Sequence, residues 1–174
     1  MLLFLSLACK PDAEDTTTEA SLPEVWGVTA LEDADSDPSV VEVHLTASQT
    51  QILWQDDEDD VTEDVWAYNG EVPGPLIQAW LGQTIRVVFT NDLPDETTIH
   101  WHGLRIDDEM DGVPAIQEPV QPGETFTYEF TPPDSGTFWY HPHVRSHEQI
   151  ERGLQGTLIA VSYTHLTLPT NDQV

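Results

Sequence analysis

Apolar and polar residues in this chain alternate in short runs and show almost nothing at helical spacing. Val40-Val-Glu-Val-His-Leu45 is one apolar-rich run, Thr84-Ile-Arg-Val-Val-Phe-Thr90 a second, and Thr125-Phe-Thr-Tyr-Glu-Phe130 alternates with period two. Successive side chains of a strand point to opposite faces, so each run predicts a β-strand with one side on a core. Between the runs stand Asn69-Gly70, Pro73-Gly74-Pro75, Asn91-Asp92 with Pro94, Pro122-Gly123 and Asp134-Ser-Gly136. Those residues supply the positive φ, the fixed φ and the local hydrogen bonds that turns need. Short strands punctuated in this way predict an all-β Greek-key sandwich or barrel over residues 40–160. The one helical turn expected is Ser146–Glu151, leading into Gly153, and no repeat of solenoid length occurs.

The two ends of the chain break with that pattern. Met1-Leu-Leu-Phe-Leu-Ser-Leu-Ala-Cys9 is apolar, too short to span a bilayer and long enough for the core of a signal peptide. Ala8 before Cys9 resembles the lipobox of bacterial lipoproteins, in which the cysteine becomes the lipidated first residue. No Lys or Arg precedes the run, and Ser6 stands where that motif has an aliphatic residue. An ordinary cleaved signal with an incidental cysteine is the alternative; either reading expects export and a periplasmic or cell-envelope location. Residues 10–39 form an acidic linker and N-terminal extension, of which 10–24 is polar and Thr-rich like a tether. Residues 161–174, beginning Val161-Ser-Tyr-Thr-His-Leu-Thr-Leu-Pro-Thr170, resemble a translated sequencing adapter and are expected to be non-native, which leaves His165 without a role.

Charge narrows the functions open to the chain. Its 174 residues carry 5 Lys and Arg against 32 Asp and Glu, a formal net charge of −27, and no basic residue lies between Lys10 and Arg86. Recognition of a phosphate backbone needs clustered cations, so nucleic acid is excluded as a partner. Asp33-Ala-Asp35-Ser-Asp37 starts like a calcium loop, but Pro38 takes the place of the required glycine and His44 that of the closing glutamate. Asp56-Asp-Glu-Asp-Asp60 reads as a solvated loop between strands. The single cysteine excludes an intrachain disulfide, a Cys-x-x-Cys redox pair and a cysteine-rich zinc site.

The chemistry gathers in histidine. Four of the seven fall in His100-Trp101-His102 and His141-Pro142-His143, about forty residues apart. On a strand, residues i and i+2 face one side roughly 6.6 Å apart, so two such strands side by side would converge four imidazoles. Neutral imidazole suits copper, zinc, iron and nickel, while the absence of thiolates and of a His-Glu-x-x-His helix argues against the common zinc sites. Four imidazoles also exceed what one catalytic zinc takes, which favours a multinuclear copper cluster. Pro142 removes a ladder donor, so its strand is expected at a sheet edge or bulge. His44 and His147 read as solvated, and Trp101, Trp139 and Tyr140 as packing around the ligands.

Asn69-Gly70-x-Val72-Pro73-Gly74-Pro75, Thr98-Ile99-His100-Trp101-His102-Gly103-Leu104, Met110-Asp111-Gly112-Val113-Pro114, Gln121-Pro122-Gly123, Trp139-Tyr140-His141-Pro142-His143 and Glu151-Arg152-Gly153-Leu154-x-Gly156 come in that order. Together they resemble the first cupredoxin domain of multicopper oxidases, the laccase-like and copper-resistance enzymes. The resemblance implies a cupredoxin-like fold over residues 40–160. It implies that His100 ligates a type-2 copper, that His102 and His141 share one of the paired type-3 coppers, and that His143 binds the other. Asp111 matches the carboxylate that stands behind the ligands and helps deliver protons as dioxygen is reduced; a purely structural Asp-Gly turn is the alternative. The complete enzyme would oxidise a small reducing substrate, such as a phenol, an amine or a metal ion, with dioxygen as acceptor.

Such an enzyme also needs a blue copper held by a cysteine thiolate, and a second set of His-x-His ligands. Cys9 lies in the export signal and is the only cysteine, so half of a trinuclear site and no electron entry point are expected here. The chain then reads as the front end of a longer protein whose further cupredoxin domains would be its partners, and as inactive alone. The alternative is a non-enzymatic cupredoxin-fold protein, structural or copper-binding, in the periplasm.

Overall fold

The computed structural model describes residues 27–54 and 60–162. The expected signal with Cys9, the tether, all but Asp60 of the second acidic run, and the tail from residue 163 with His165 lie outside the described residues. The elements in chain order are β1 (Val40–Trp54), β2 (Val61–Tyr68), β3 (Gly74–Trp80), β4 (Thr84–Asp92), β5 (His100–His102), a 3₁₀ turn (Asp108–Met110), β6 (Thr125–Phe130), β7 (Gly136–His141), α1 (Ser146–Glu151) and β8 (Gly156–Val161). No helix among them is long and apolar enough to cross a membrane.

Two four-stranded sheets form, ordered β2-β1-β4-β6 and β3-β8-β7-β5. The chain passes from one sheet to the other five times between β2 and β7, so strands adjacent in sequence often face each other across the core. In β1 and β4 the inward positions Val41, Val43, Leu45, Ala47 and Ile85, Val87, Phe89 are buried, and the residues between them are more exposed. They meet Ile77, Ala79, Leu158, Trp101 and Tyr140 of the other sheet in one apolar cluster. Each such aromatic buries about 150–250 Å², and face-to-face sheets of this kind make the sandwich expected from the pattern.

Several boundaries differ from the expected ones. β1 runs nine residues past Leu45, because its second half, Ala47–Trp54, is held antiparallel to β2 while Val40–Ser48 lies parallel to β4. That second half is largely exposed, with only Ala47 buried, so no run of buried apolar residues marks it. Gly74 and Pro75 belong to no turn: they open β3, which is buried along its whole length. Residues Thr29–Leu31 lie along β3, with Leu76 N–H donating to Thr29 O and Leu31 N–H to Leu76 O. A strand covered on both sides shows no period in its sequence. The last strand reaches Val161, one residue into the segment expected to be non-native, where Leu81 N–H donates to Val161 O. The strand carrying His141 lies inside its sheet between β8 and β5, and β5 is the edge, contrary to the expectation drawn from Pro142. Pro142 follows the last residue of β7, so no ladder bond is lost.

The Asp33–Asp37 run folds on itself. Asp33 Oδ1 accepts from the Asp35 and Glu42 amides, and Asp35 and Asp37 each cap the amide two residues on. These carboxylates are spent on the chain's own backbone.

One close approach anchors β7 between its neighbours. Tyr140 is fully buried, its hydroxyl donates to Pro75 O at 2.6 Å, and its ring lies where a Cβ on Gly156 would stand. Burial pushes this phenol well above its ordinary pKa. We predict that Gly156→Ala, which overfills that space, costs about 1–3 kcal/mol by chemical denaturation; an unchanged midpoint would show that the Tyr140 ring shifts freely.

Candidate metal centre

β5 pairs antiparallel with β7 in the register His100↔His141, Trp101↔Tyr140 and His102↔Trp139. Residues opposite one another in such a pair share a face, so His100, His102, Trp139 and His141 lie on one side and Trp101 and Tyr140 on the other. The second side is the core: Trp101 and Tyr140 are fully buried, and the Trp101 ring centroid is 4.8 Å from Phe130 and 5.5 Å from Tyr128. His143 lies beyond the end of β7 and closes the group from the loop. Its ring stacks on His100 at 3.9 Å and 20°. Ring centroids of His100 lie 5.5 Å from His102 and 5.2 Å from His141, so all four expected imidazoles converge.

The hydrogen bonds settle which nitrogens face the middle. His100 Nδ1 is 3.1 Å from Asp111 O, and His141 Nδ1 is 3.0 Å from Pro142 O. A carbonyl only accepts, so both Nδ1 atoms carry the proton and both Nε2 atoms keep a lone pair. His141 Nε2 in turn lies 3.2 Å from His102 Nδ1. That spacing suits one shared proton, and equally two imidazoles on one tetrahedral ion with bonds of about 2.0 Å. Ligand atoms of His100, His141 and His143 all lie within 4.8 Å of one another. The donor set therefore fits a first-row metal with nitrogen preference, copper among them.

Asp111 lies beside His100. It ends the 3₁₀ turn, and its Oδ1 is 3.0 Å from His100 Nδ1. The ring N–H is directed to the Asp111 carbonyl, so this buried carboxylate oxygen receives no hydrogen bond of its own. Next to it, Gly112 has φ +68° and packs against the Ile99 carbonyl so closely that a Cβ would overlap it. The Asp-Gly turn is thus real, and it also delivers a free carboxylate oxygen to the imidazole.

Solvent access divides the four imidazoles. His141 is 5% exposed and His102 lies on the open side. Desolvation, and then the other imidazoles, push His141 down to about 4, against the contrary pull of the Pro142 carbonyl. His143 is lowered by the same causes, with Asp111 acting against them. Trp139, read from sequence only as packing, lies on the ligand face, its ring centroid 3.9 Å from His141 and 5.0 Å from His102. His44 and His147 are both exposed, and His44 has Glu42 at 3.6 Å. Ties from Thr98 and Gln149 went unforeseen: Thr98 falls within a quoted motif, but its partner is distant in sequence.

Comparison with known proteins agrees with this geometry. A family profile described as Multicopper oxidase matches residues 49–164. The chain is 46% identical over 89 residues to Multicopper oxidase MmcO of Mycobacterium tuberculosis, which takes in 51% of this chain and 16% of that protein. It is 39% identical over 94 residues to Copper resistance protein A of Pseudomonas syringae pv. tomato, covering 53% of this chain and 15% of that one. The crystal structure of a multi-copper oxidase from Pseudomonas Thermotolerans superposes with a TM-score of 0.66 and 42% identity over 71% of this chain and 30% of its own. The sandwich is accordingly cupredoxin-like, and the chain spans about a sixth of the length of these curated relatives.

In the metal-free chain, His141 should stay neutral as pH falls and gain its proton near pH 4. An unfolded histidine titrates near ~6.5, so the unfolded chain takes up this proton first. The stability contributed by the neutral ring is complete above that value and falls away between it and about 4. A histidine NMR titration reads this directly, and a His141 midpoint near the unfolded value would contradict it.

Proposed function

This chain belongs to the multicopper oxidase family, and on that premise we propose that it is the N-terminal cupredoxin domain of an exported, copper-dependent oxidase. The whole protein would couple one-electron oxidation of phenols, amines or metal ions to the four-electron reduction of dioxygen to water. This domain supplies half of the ligands of a trinuclear copper site: His100 for the type-2 ion, His102 and His141 for one type-3 ion, and His143 for the other. The observation that carries the reading is the 3.2 Å approach of His102 Nδ1 to His141 Nε2, with His100 stacked on His143 beside them. Copper bound there supplies one-electron redox chemistry and a place for dioxygen.

The chain's own residues do the rest. The Asp111 and Pro142 carbonyls hold the protons of His100 and His141 on Nδ1 and so aim both Nε2 atoms inward. The Asp111 Oδ1, buried beside His100 with no hydrogen bond of its own, is placed to relay protons at the site. Desolvation keeps His141 neutral and thus a ligand in mildly acidic surroundings. Trp139 covers the His102 and His141 pair with an apolar ring.

Remaining ligands and the blue copper belong to other parts of the whole protein, so the isolated chain should bind copper weakly and turn over nothing. Titration with cupric chloride, followed by an oxygen-electrode assay with a phenol and with cuprous ion, checks both. Uptake should be lost in His100→Ala and His141→Ala and retained in Asp111→Asn. Steady oxygen consumption by the chain alone would overturn the reading of it as half a site.

Cys9 would anchor the protein at the cell envelope as a lipidated first residue. A fatty-acid probe incorporated on expression should disappear in Cys9→Ser, and label that persists there removes the anchor.

A further inference from the structure

We propose that Thr98 is a positioning residue that seats His143 on His100. It does so through a seam joining residues 95–98 to residues 143–149. The proposal rests on the reading of the four histidines as copper ligands, and it concerns how they are held.

His143 needs such a device. β7 ends at His141, so no strand pairing holds the backbone two residues on. His143 N–H instead donates to Thr98 Oγ1 at 3.1 Å, and Thr98 is fully buried two residues before His100. The tie therefore runs from the backbone of one ligand to the chain that carries its stacking partner. A β-branched side chain is stiff at χ1, so the hydroxyl is aimed without much loss of entropy.

Three more ties run parallel to it. Thr97 Oγ1 donates to Gln149 Oε1 at 2.7 Å, and Gln149 Nε2 donates to Glu96 O at 3.0 Å. Gln149 is fully buried in α1 with both ends of its amide paired. At the open end, Arg145 forms an ion pair with Asp95 at 2.7 Å. Arg145 has φ +42°, a left-handed conformation that a non-glycine residue holds only where its surroundings impose it. From there its carbonyl accepts from the Glu148 and Gln149 amides and starts α1.

Four consecutive residues, Asp95 to Thr98, thus grip the loop and helix that follow His141. The strand register aligns His100 with His141, and this seam brings His143 back onto His100. Buried polar pairs of this kind are costly to break on one side only, since the orphaned amide keeps its desolvation penalty.

The test uses the full chain with Thr98→Val, which keeps the shape and removes the acceptor, and Thr98→Ser, which keeps the acceptor. In metal-free protein, NMR of the imidazole protons reads the ring-current displacement that His100 and His143 impose on each other. Cupric chloride titration with electron paramagnetic resonance reads affinity and ligand field. Valine should abolish the displacement, change the cupric spectrum and weaken uptake by about 10–100-fold; serine should retain all three. A valine variant that only lowers the unfolding midpoint, with ring shifts and copper affinity of the parent, overturns the proposal. If the parent binds no copper, the oxidase reading fails, and the metal-free ring shifts still decide the positioning role. Should valine prevent folding, Asp95→Asn at the exposed end of the seam should move the same ring shifts by a smaller amount, and no movement overturns it.

Discussion

The antiparallel pairing of β5 with β7 is the constraint on which the site depends. Its register puts His100 opposite His141 and Trp101 opposite Tyr140. Side chains alternate across a strand, so a slip of β5 by one residue would send Trp101 to the open face and His100 and His102 into the core. Trp101 and Tyr140, buried among Tyr128, Phe130 and Tyr68, make that slip prohibitive. The metal face is held in place by the apolar face behind it. Fold stability and ligand geometry are here the same interaction seen from two sides.

Around that pairing the backbone supplies most of the fine positioning. Gly112 lets the Asp111 turn approach the Ile99 carbonyl, and the Tyr128 hydroxyl accepts from Ile99 N–H at 2.8 Å on the residue's other polar group. Ile99, the residue before His100, is thus held by a hydrogen bond at its N–H and by the packing of Gly112 at its carbonyl. Tautomers follow from the same economy: carbonyls of Asp111 and Pro142 take the Nδ1 protons, leaving lone pairs for a metal. The high negative charge plays little part in this. Among the described residues it lies mainly on the solvated surface, where Arg86 is shared among Asp35, Glu42 and Glu129.

Legibility of the elements followed burial. β6 and α1 stand where the pattern put them, Thr125–Phe130 and Ser146–Glu151, because one has a single buried face and the other a short polar run stopped by glycine. β3 was unreadable, being covered on both sides and so without a period. The second half of β1 was missed for the opposite reason, since its side chains are largely exposed and backbone pairing alone extends it. Proline chemistry misled at His141: the ring does remove a donor, but one residue past the point where the ladder stops.

The sequence by itself determined the four histidines, their i and i+2 spacing, the carboxylate in the Met-Asp-Gly-Val-Pro segment and the family, since these are properties of side chains and local backbone. The resemblance had already put His102 with His141, but only the tertiary structure showed how they meet and that His143 stacks on His100. His102 meets His141 and His143 meets His100 because of a strand register and a buried seam that join residues about forty to fifty positions apart. Long-range pairings leave little trace in local pattern: their energy comes from burial and from polar groups satisfied across the core, and both exist only once the chain has closed on itself.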